Sequence, residues 1–261
     1  MKLSPTPAAN VTVEVCNLRK SFHGEEVLKG ISLEISPGGI FVIMGPSGSG
    51  KSVLLKHIIG LLKPDSGQIF IQGEPVDTPN LRDKYRMAMV FQSGALLSSL
   101  TVGENVGLYL SEHQLKSPDE IARVVSRKLA DVGLAGEEDR MPNDLSGGMQ
   151  KRVGIARALV MDPQLILFDE PTSELDPLMT VRLGEEILKL KNVTQATSIV
   201  VTHDLNLAFG IADRLAMMMD GEILFVGTPG QLCQDPNPLI QSFIHAQLPP
   251  LNTNTPAPSQ F

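Results

Sequence analysis

The chain has 261 residues, 42% of them hydrophobic, enough for one large α/β domain or two small ones with a sizeable core. Its net charge of −7 argues against a surface that coats nucleic acid. No apolar run approaches the ~20 residues of a membrane-spanning helix, so a membrane role would have to come through a partner. Cys16 and Cys233, far apart and outside any CxxC pattern, fit free thiols in a reducing compartment rather than a disulfide framework or zinc site.

Residues 1–10, with Pro5 and Pro7, read as a flexible leader that lacks the apolar core of a secretion signal. Val11, Val13 and Val15 alternate with polar residues, as in a half-buried strand. Lys20–Gly24 reads as a turn, followed by short strands at Glu26–Leu28 and Ile31–Ile35. Ser36-Pro37-Gly38-Gly39 then turns the chain into an apolar strand, Ile40–Met44.

Gly45, Pro46, Ser47, Gly48, Ser49, Gly50, Lys51 and Ser52 spell G-x-x-x-x-G-K-[ST]. A buried strand precedes them, and an apolar helical face from Val53 to Leu62 follows, stopping near Pro64. Strand, glycine loop and helix are the context that a phosphate-binding loop requires. Glycines let the backbone wrap closely with its N–H groups inward, and the helix N-terminus adds about half a positive charge. Lys51 would reach the β- and γ-phosphates of a nucleoside triphosphate, and the Ser52 hydroxyl would hold Mg²⁺. A glycine-rich turn matching by chance is the alternative, and both flanks speak against it. Phe22, upstream, could stack on an adenine ring, although spacing alone favours a core or turn aromatic.

Gly67–Gln72 and Met87–Gln92 read as strands. Gln92 ends the second, where its carbonyl could take a Mg²⁺ site or position water; a strand-end Gln is otherwise simply solvated. Residues 95–162 look predominantly helical, a subdomain inserted into the α/β pattern. Thr101–Leu110 is one segment, and Ser117-Pro118-Asp119-Glu120 starts another whose apolar stripe runs to Gly133. Ser146, Gly147 and Gly148 open a further helix, as a second anion site or as an ordinary cap.

Leu165–Phe168 is a fully apolar strand that ends in Asp169, Glu170 and Pro171. Acids at the carboxyl end of a buried strand sit where α/β folds bind ligands. Asp169 is placed to hold Mg²⁺ and Glu170 to take a proton from water, against the alternative of two solvated loop acids. Asp176 caps a helix before Pro177, and the strand Thr197–Thr202 ends at His203, which could donate to a γ-phosphate or be a surface histidine. Residues 214–219 and 222–226 pair as a hairpin through Asp220-Gly221, and residues 247–261 read as a disordered Pro/Asn/Thr-rich tail.

In this order and spacing the motifs resemble the ATP-binding-cassette (ABC) ATPases over roughly residues 11–230. The resemblance implies an α/β fold over 11–246: a P-loop NTPase core with an antiparallel β subdomain and an inserted α-helical subdomain. It implies ATP and Mg²⁺ as cofactors, Phe22 as the adenine-stacking aromatic, and Lys51, Ser52, Gln92 and Asp169 as phosphate and Mg²⁺ ligands. Glu170 is similar to the family's catalytic glutamate and His203 to its switch histidine. Ser146 and Gly148 resemble the signature residues that meet the γ-phosphate held by a second copy, and Gly147 and Asp176 of the SELD turn count among the implied nucleotide-binding residues. The implied assembly is a homodimer that sandwiches two ATPs and drives integral-membrane permease subunits from the cytoplasmic face of the inner membrane. Met149 where Gln is commoner, and Glu174 in a turn where Gly or Ala is usual, depart from the pattern.

Within the family, Phe91–Leu97, Leu100-Thr101-Val102, LSGGMQKRV at 145–153 and Asp235–Phe243 look most like one branch. It comprises ATPases of Mla-type lipid transporters and their plastid relatives, which implies a phospholipid cargo and an MCE-domain lipid-binding partner. The alternatives are an osmolyte or amino-acid importer ATPase, or a cassette ATPase without transport. The acidic balance, and the lack of a coiled-coil insertion between Ser52 and Leu145, disfavour the last and nucleic acid with it.

Overall fold

The computed structural model describes residues 10–173 and 175–247. The expectations placed on residues 1–9, on Glu174 and on residues 248–261 lie outside them. In chain order the strands are β1 (Val13–Phe22), β2 (Glu25–Ile35), β3 (Ile40–Met44), β4 (Ser66–Ile71), β5 (Glu74–Pro75), β6 (Met87–Val90), β7 (Leu165–Asp169), β8 (Thr197–Thr202), β9 (Arg214–Met219) and β10 (Glu222–Gly227). The helices are α1 (Lys51–Ile58), α2 (Leu81–Lys84), α3 (Val102–Glu112), α4 (Pro118–Asp131), α5 (Gly147–Leu159), α6 (Pro177–Thr194), α7 (Leu205–Ile211), α8 (Pro229–Cys233) and α9 (Pro238–Gln247).

β1 and β2 form an antiparallel hairpin. Its turn is only His23 and Gly24, at φ 51° and 86°, the left-handed pair that matches the twist of the flanking strands. The turn expected over Lys20–Gly24 is therefore shorter. The break expected between Leu28 and Ile31 is a bulge at Gly30 (φ 88°), which passes the ladder and lets a single strand run through. β4 and β5 complete this sheet in the order β2-β1-β4-β5.

The second sheet runs β10-β9-β3-β8-β7-β6, with parallel pairing from β9 to β6 and β10 returning antiparallel through Asp220 and Gly221. Every residue of β3, β7 and β8 is buried. Ile40, Val42, Met44, Ile166, Phe168 and Val200 face the core shared with α3 to α9. Phe41, Ile43, Leu165, Leu167, Ile199 and Val201 face the opposite core, shared with α1 and the antiparallel sheet. With both faces covered, these strands have no reason to alternate, and they read as unbroken apolar runs.

Two element ends beside the glycine loop and Gln92 differ from the sequence reading. The helix behind the glycine loop stops at Ile58 rather than near Pro64. Gly60 (φ 72°) ends it, its N–H donating to His57 O at 2.9 Å while Leu61 N–H donates to Lys56 O at 2.8 Å, a Schellman closure. β6 stops at Val90, so Gln92 lies two residues beyond it, in a turn rather than at the strand end.

The inserted helices carry their own start signals. Thr101 N–H donates to Glu104 Oε2 at 2.7 Å and Ser117 N–H to Glu120 Oε2 at 2.9 Å, so each carboxylate satisfies the cap residue's backbone. Fully buried Asn105 donates to the carbonyls of Leu97, Leu100 and Thr101 and accepts from Leu97 N–H, pinning the loop ahead of α3. Gln247, expected to open the tail, is the last residue of α9, and its side chain joins Leu205 N–H and His203 O.

Phe168 is among the largest fully buried side chains and lies one residue before Asp169. Phe168→Ala is expected to cost about 3–5 kcal/mol, read as a lower urea midpoint.

Candidate active site

The sheet order brings the motifs together. Met44 pairs with Thr202, Val201 with Asp169, and Phe168 with Val90, so β3, β8, β7 and β6 end side by side. The glycine loop, His203, Glu170 and Gln92 therefore leave one edge of the sheet, at the carboxyl ends where open α/β sheets bind ligands.

Three glycines shape the loop for different reasons. A Cβ on Gly45 would lie 1.9 Å from Met218 O, and one on Gly50 (φ 98°) 3.0 Å from Val27 O; the backbone is too close for a side chain. Gly48 (φ 83°) has nothing within 4 Å of that position and keeps the loop's outer side open. α1 begins at Lys51, with the unpaired N–H groups of its first turn and its positive dipole end at the loop. Ser49 Oγ is buried with no hydrogen-bond partner, which suits a loop built to take a polar ligand.

The charged groups are interlocked. Lys51 Nζ donates to Gly45 O and Pro46 O, both at 2.9 Å, and lies 3.5 Å from Glu170 Oε1. Burial holds its amine below the ordinary lysine value, against the upward pull of Glu170 and Asp169. Ser52 Oγ donates to Asp169 Oδ1 at 2.6 Å. Gln92 lines the same cleft as Ser52, a cleft of about 330 Å³; a hydroxyl, a carboxylate and an amide carbonyl are the kinds of oxygen donor that could hold Mg²⁺. Glu170 Oε2 accepts from His203 N–H at 3.2 Å and lies 2.9 Å from His203 Nδ1. Glu170 itself is left-handed (φ 46°), a conformation that costs a non-glycine residue about 1–3 kcal/mol and is held here by Glu170 N–H donating to Val201 O at 2.9 Å.

Three further residues line the cleft, Val53 of α1 among them. Ser173 is carried there by a turn in which its N–H donates to Glu170 O at 3.2 Å. A Ser three positions after the acid is a turn signal that could have flagged it. Val27 arrives from β2 through tertiary packing and has no local signal.

Other expected site residues stand apart from this cleft. Phe22 ends β1, 38% exposed, with Lys20 Nζ 5.5 Å from its ring centroid, and does not line the cleft. Asp176 caps α6, its carboxylate accepting from Met179 N–H at 2.9 Å. Ser146 caps α5 in the same way, accepting from Met149 N–H at 3.3 Å, and Ser146 and Gly147 are exposed. A Cβ on Gly147 would meet nothing within 4 Å, and the nearest atom to one on Gly148 is Leu175 Cδ2 at 3.9 Å. Ser146, Gly147 and Gly148 thus present an open helix N-terminus that does not line the cleft beside the chain's own glycine loop.

A family model described as ABC transporter matches residues 28–173. The chain is 39% identical over 241 residues to the "Probable ribonucleotide transport ATP-binding protein mkl" of Mycobacterium tuberculosis, covering 91% of this chain and 67% of that protein. It is 36% identical over 260 residues to "Protein TRIGALACTOSYLDIACYLGLYCEROL 3, chloroplastic" of Arabidopsis thaliana, covering 92% of this chain and 75% of that one. Among solved structures, a dimeric ATP-binding cassette in a post-hydrolysis state, bound to ADP and Pi, superposes with a TM-score of 0.75 at 35% identity. That match covers 83% of this chain and 98% of the other.

Gly45→Ala is expected to abolish ATP binding while the protein stays folded, because the new methyl cannot coexist with Met218 O; equilibrium binding of a fluorescent ATP analogue, with circular dichroism as the folding control, checks it. Phosphates seated beside Lys51 add negative charge and raise its depressed pKa. Between that depressed value and the ordinary 10.5, ATP binding should therefore take up protons, and apparent affinity should fall as pH rises. Calorimetry in two alkaline buffers of different ionisation heat reads the uptake directly.

Proposed function

The chain belongs to the ABC transporter family, as its motifs implied, and from that premise we propose which of its residues act and what it moves. It is the ATP-hydrolysing subunit of a transporter. Two copies would pack head to tail, each supplying Lys51 and the glycine loop to one ATP, and Ser146, Gly147 and Gly148 to the ATP held by the other. The observation that carries this reading is the split geometry: Lys51, Ser52, Glu170 and His203 line one cleft, with Asp169 bonded to Ser52, while the exposed cap of α5 takes no part in its lining. The dimeric relative bound to ADP and Pi supports the pairing.

In this arrangement Ser52, Asp169 and Gln92 would hold Mg²⁺, which neutralises phosphate charge when bound. Glu170 orients the attacking water and accepts its proton. His203, bonded to Glu170, keeps that carboxylate in place and offers its second ring nitrogen to the γ-phosphate. Phe22 would stack on the adenine, and Asp176 would lie at the seam between copies. Closing the sandwich excludes water and lets fixed charges act in a lower dielectric. Loss of the γ-phosphate bridge on hydrolysis reopens it.

No helix among the described residues is long and apolar enough to cross a membrane. The work would therefore pass to separate permease subunits, from the cytoplasmic face of the inner membrane. The cargo is a phospholipid or similar amphiphile, with an MCE-domain lipid-binding protein in the complex. Support comes from the Phe91–Leu97 pattern and from the lipid in the printed name of the plastid relative. A small polar solute is the second reading, favoured by the ribonucleotide in the printed name of the mycobacterial relative. Purifying the native complex and identifying its bound molecules by mass spectrometry separates the two: retained phospholipid and an MCE protein support the first, and a polar solute with neither overturns it.

Glu170→Gln should retain ATP binding and slow hydrolysis by about a hundredfold or more; an unchanged rate of phosphate release would remove Glu170 from the chemistry. Ser146→Arg should place bulk and charge at the seam and abolish the steep dependence of ATPase rate on protein concentration, with nucleotide binding intact.

A further inference from the structure

The turn after β6 is built on two successive left-handed residues, Gly94 (φ 72°) and Ala95 (φ 47°). An alanine there crowds its Cβ against backbone, and such a conformation persists only where the surroundings over-determine it. Arg157 of α5 does so. Its Nη2 donates to Gly94 O and its Nη1 to Ala95 O, both at 2.8 Å, a planar fork matched to two adjacent carbonyls. Burial lowers the guanidinium's pKa, in keeping with its seat between helix and turn.

The same turn is pressed against α5 at the backbone. A Cβ on Gly154 would lie 3.3 Å from Gly94 Cα and O, and one on Gly94 would lie 3.0 Å from Gln150 O. Gln92 stands two residues before this fastening, at the cleft. Ser146 caps the other end of the helix that bears Arg157. One continuous helix thus joins the fastened turn beside Gln92 to the cap at Ser146.

We propose that Arg157 is a positioning residue that fastens the Gln92 turn to α5, so that the seating of Gln92 at one nucleotide sets the approach of Ser146 to the nucleotide of the second copy. This rests on the reading of Gln92 and Ser146 given above. Arg157 touches no reacting atom in it; it acts through the two residues it joins. α5 stays attached to the cleft without it, because Lys151 Nζ donates to the Ser173 carbonyl from the helix's first turns. The fold therefore does not hang on this arginine alone.

The test uses the full chain carrying Arg157→Gln, alone and combined with Gln92→Ala. Arg157→Gln should leave ATP-analogue affinity unchanged, lower hydrolysis by about tenfold to a hundredfold as a misplaced group does, and flatten the concentration dependence of the rate. Its loss should not multiply with that of Gln92→Ala, since both disable one linkage. Arg157→Lys, which can reach one carbonyl, should recover part of the rate. Wild-type hydrolysis by Arg157→Gln, or losses that multiply in the double variant, would overturn the proposal. Should Arg157→Gln fail to fold, Gly154→Ala opens the same contact with the arginine retained and must show the same uncoupling. If Ser146→Arg and Glu170→Gln hydrolyse ATP normally, the reading of the cleft falls; if they are inactive while Arg157→Gln is not, only this linkage falls.

Discussion

The cleft depends on the parallel pairing of β8 with β3 on one side and with β7 on the other. No local interaction brings Met44 to Thr202 or Asp169 to Val201; each contact closes a loop of many residues before any hydrogen bond compensates the lost entropy. What holds the arrangement is burial on both faces of the strands, with Ile43, Leu167 and Val201 on one side and Val42, Phe168 and Val200 on the other. A single register then fixes the loop lysine, the acidic pair and the histidine at one edge.

Within that edge the site carries costs that the core absorbs. Lys51 is almost fully buried, yet two backbone carbonyls and Glu170 surround its ammonium, so the charge is not orphaned. Glu170 is left-handed because its N–H must reach Val201 O while its carboxylate meets both Lys51 and His203. Strain of this kind gathers where geometry serves chemistry rather than stability. In the proposed dimer the same groups exchange partners, since a lysine balanced between carbonyls and a carboxylate can turn to phosphates without leaving a buried charge uncompensated.

The inserted helices are best understood as the mount for α5. Thr101 and Ser117 start α3 and α4 with reciprocal caps, Asn105 pins the loop that leads in from the cleft, and Arg157 holds the turn beside Gln92. Each device acts on backbone carbonyls or N–H groups, so each fixes where the chain goes rather than what any side chain reacts with. A subdomain assembled in this way keeps a defined attachment to the cleft.

Much of this was legible in the residues. The glycine loop announces itself because no other residue type permits the backbone approach to Met218 and Val27, and β7 because an unbroken apolar run ending in two acids reads as a strand buried on both faces. The caps of α3, α4, α5 and α6 follow from Thr, Ser and Asp placed before helical runs, a short-range signal of side chain to backbone. The end of α1 escapes the apolar pattern because apolar residues continue to Leu62 while Gly60 already takes the left-handed turn. Only the tertiary structure could decide that β8 inserts between β3 and β7, that Val27 joins the cleft, that Phe22 stays outside it, and that Arg157 is tied to the turn at Gly94. Those are contacts between segments far apart in the chain, and their register is set by packing, for which a single sequence carries no local mark.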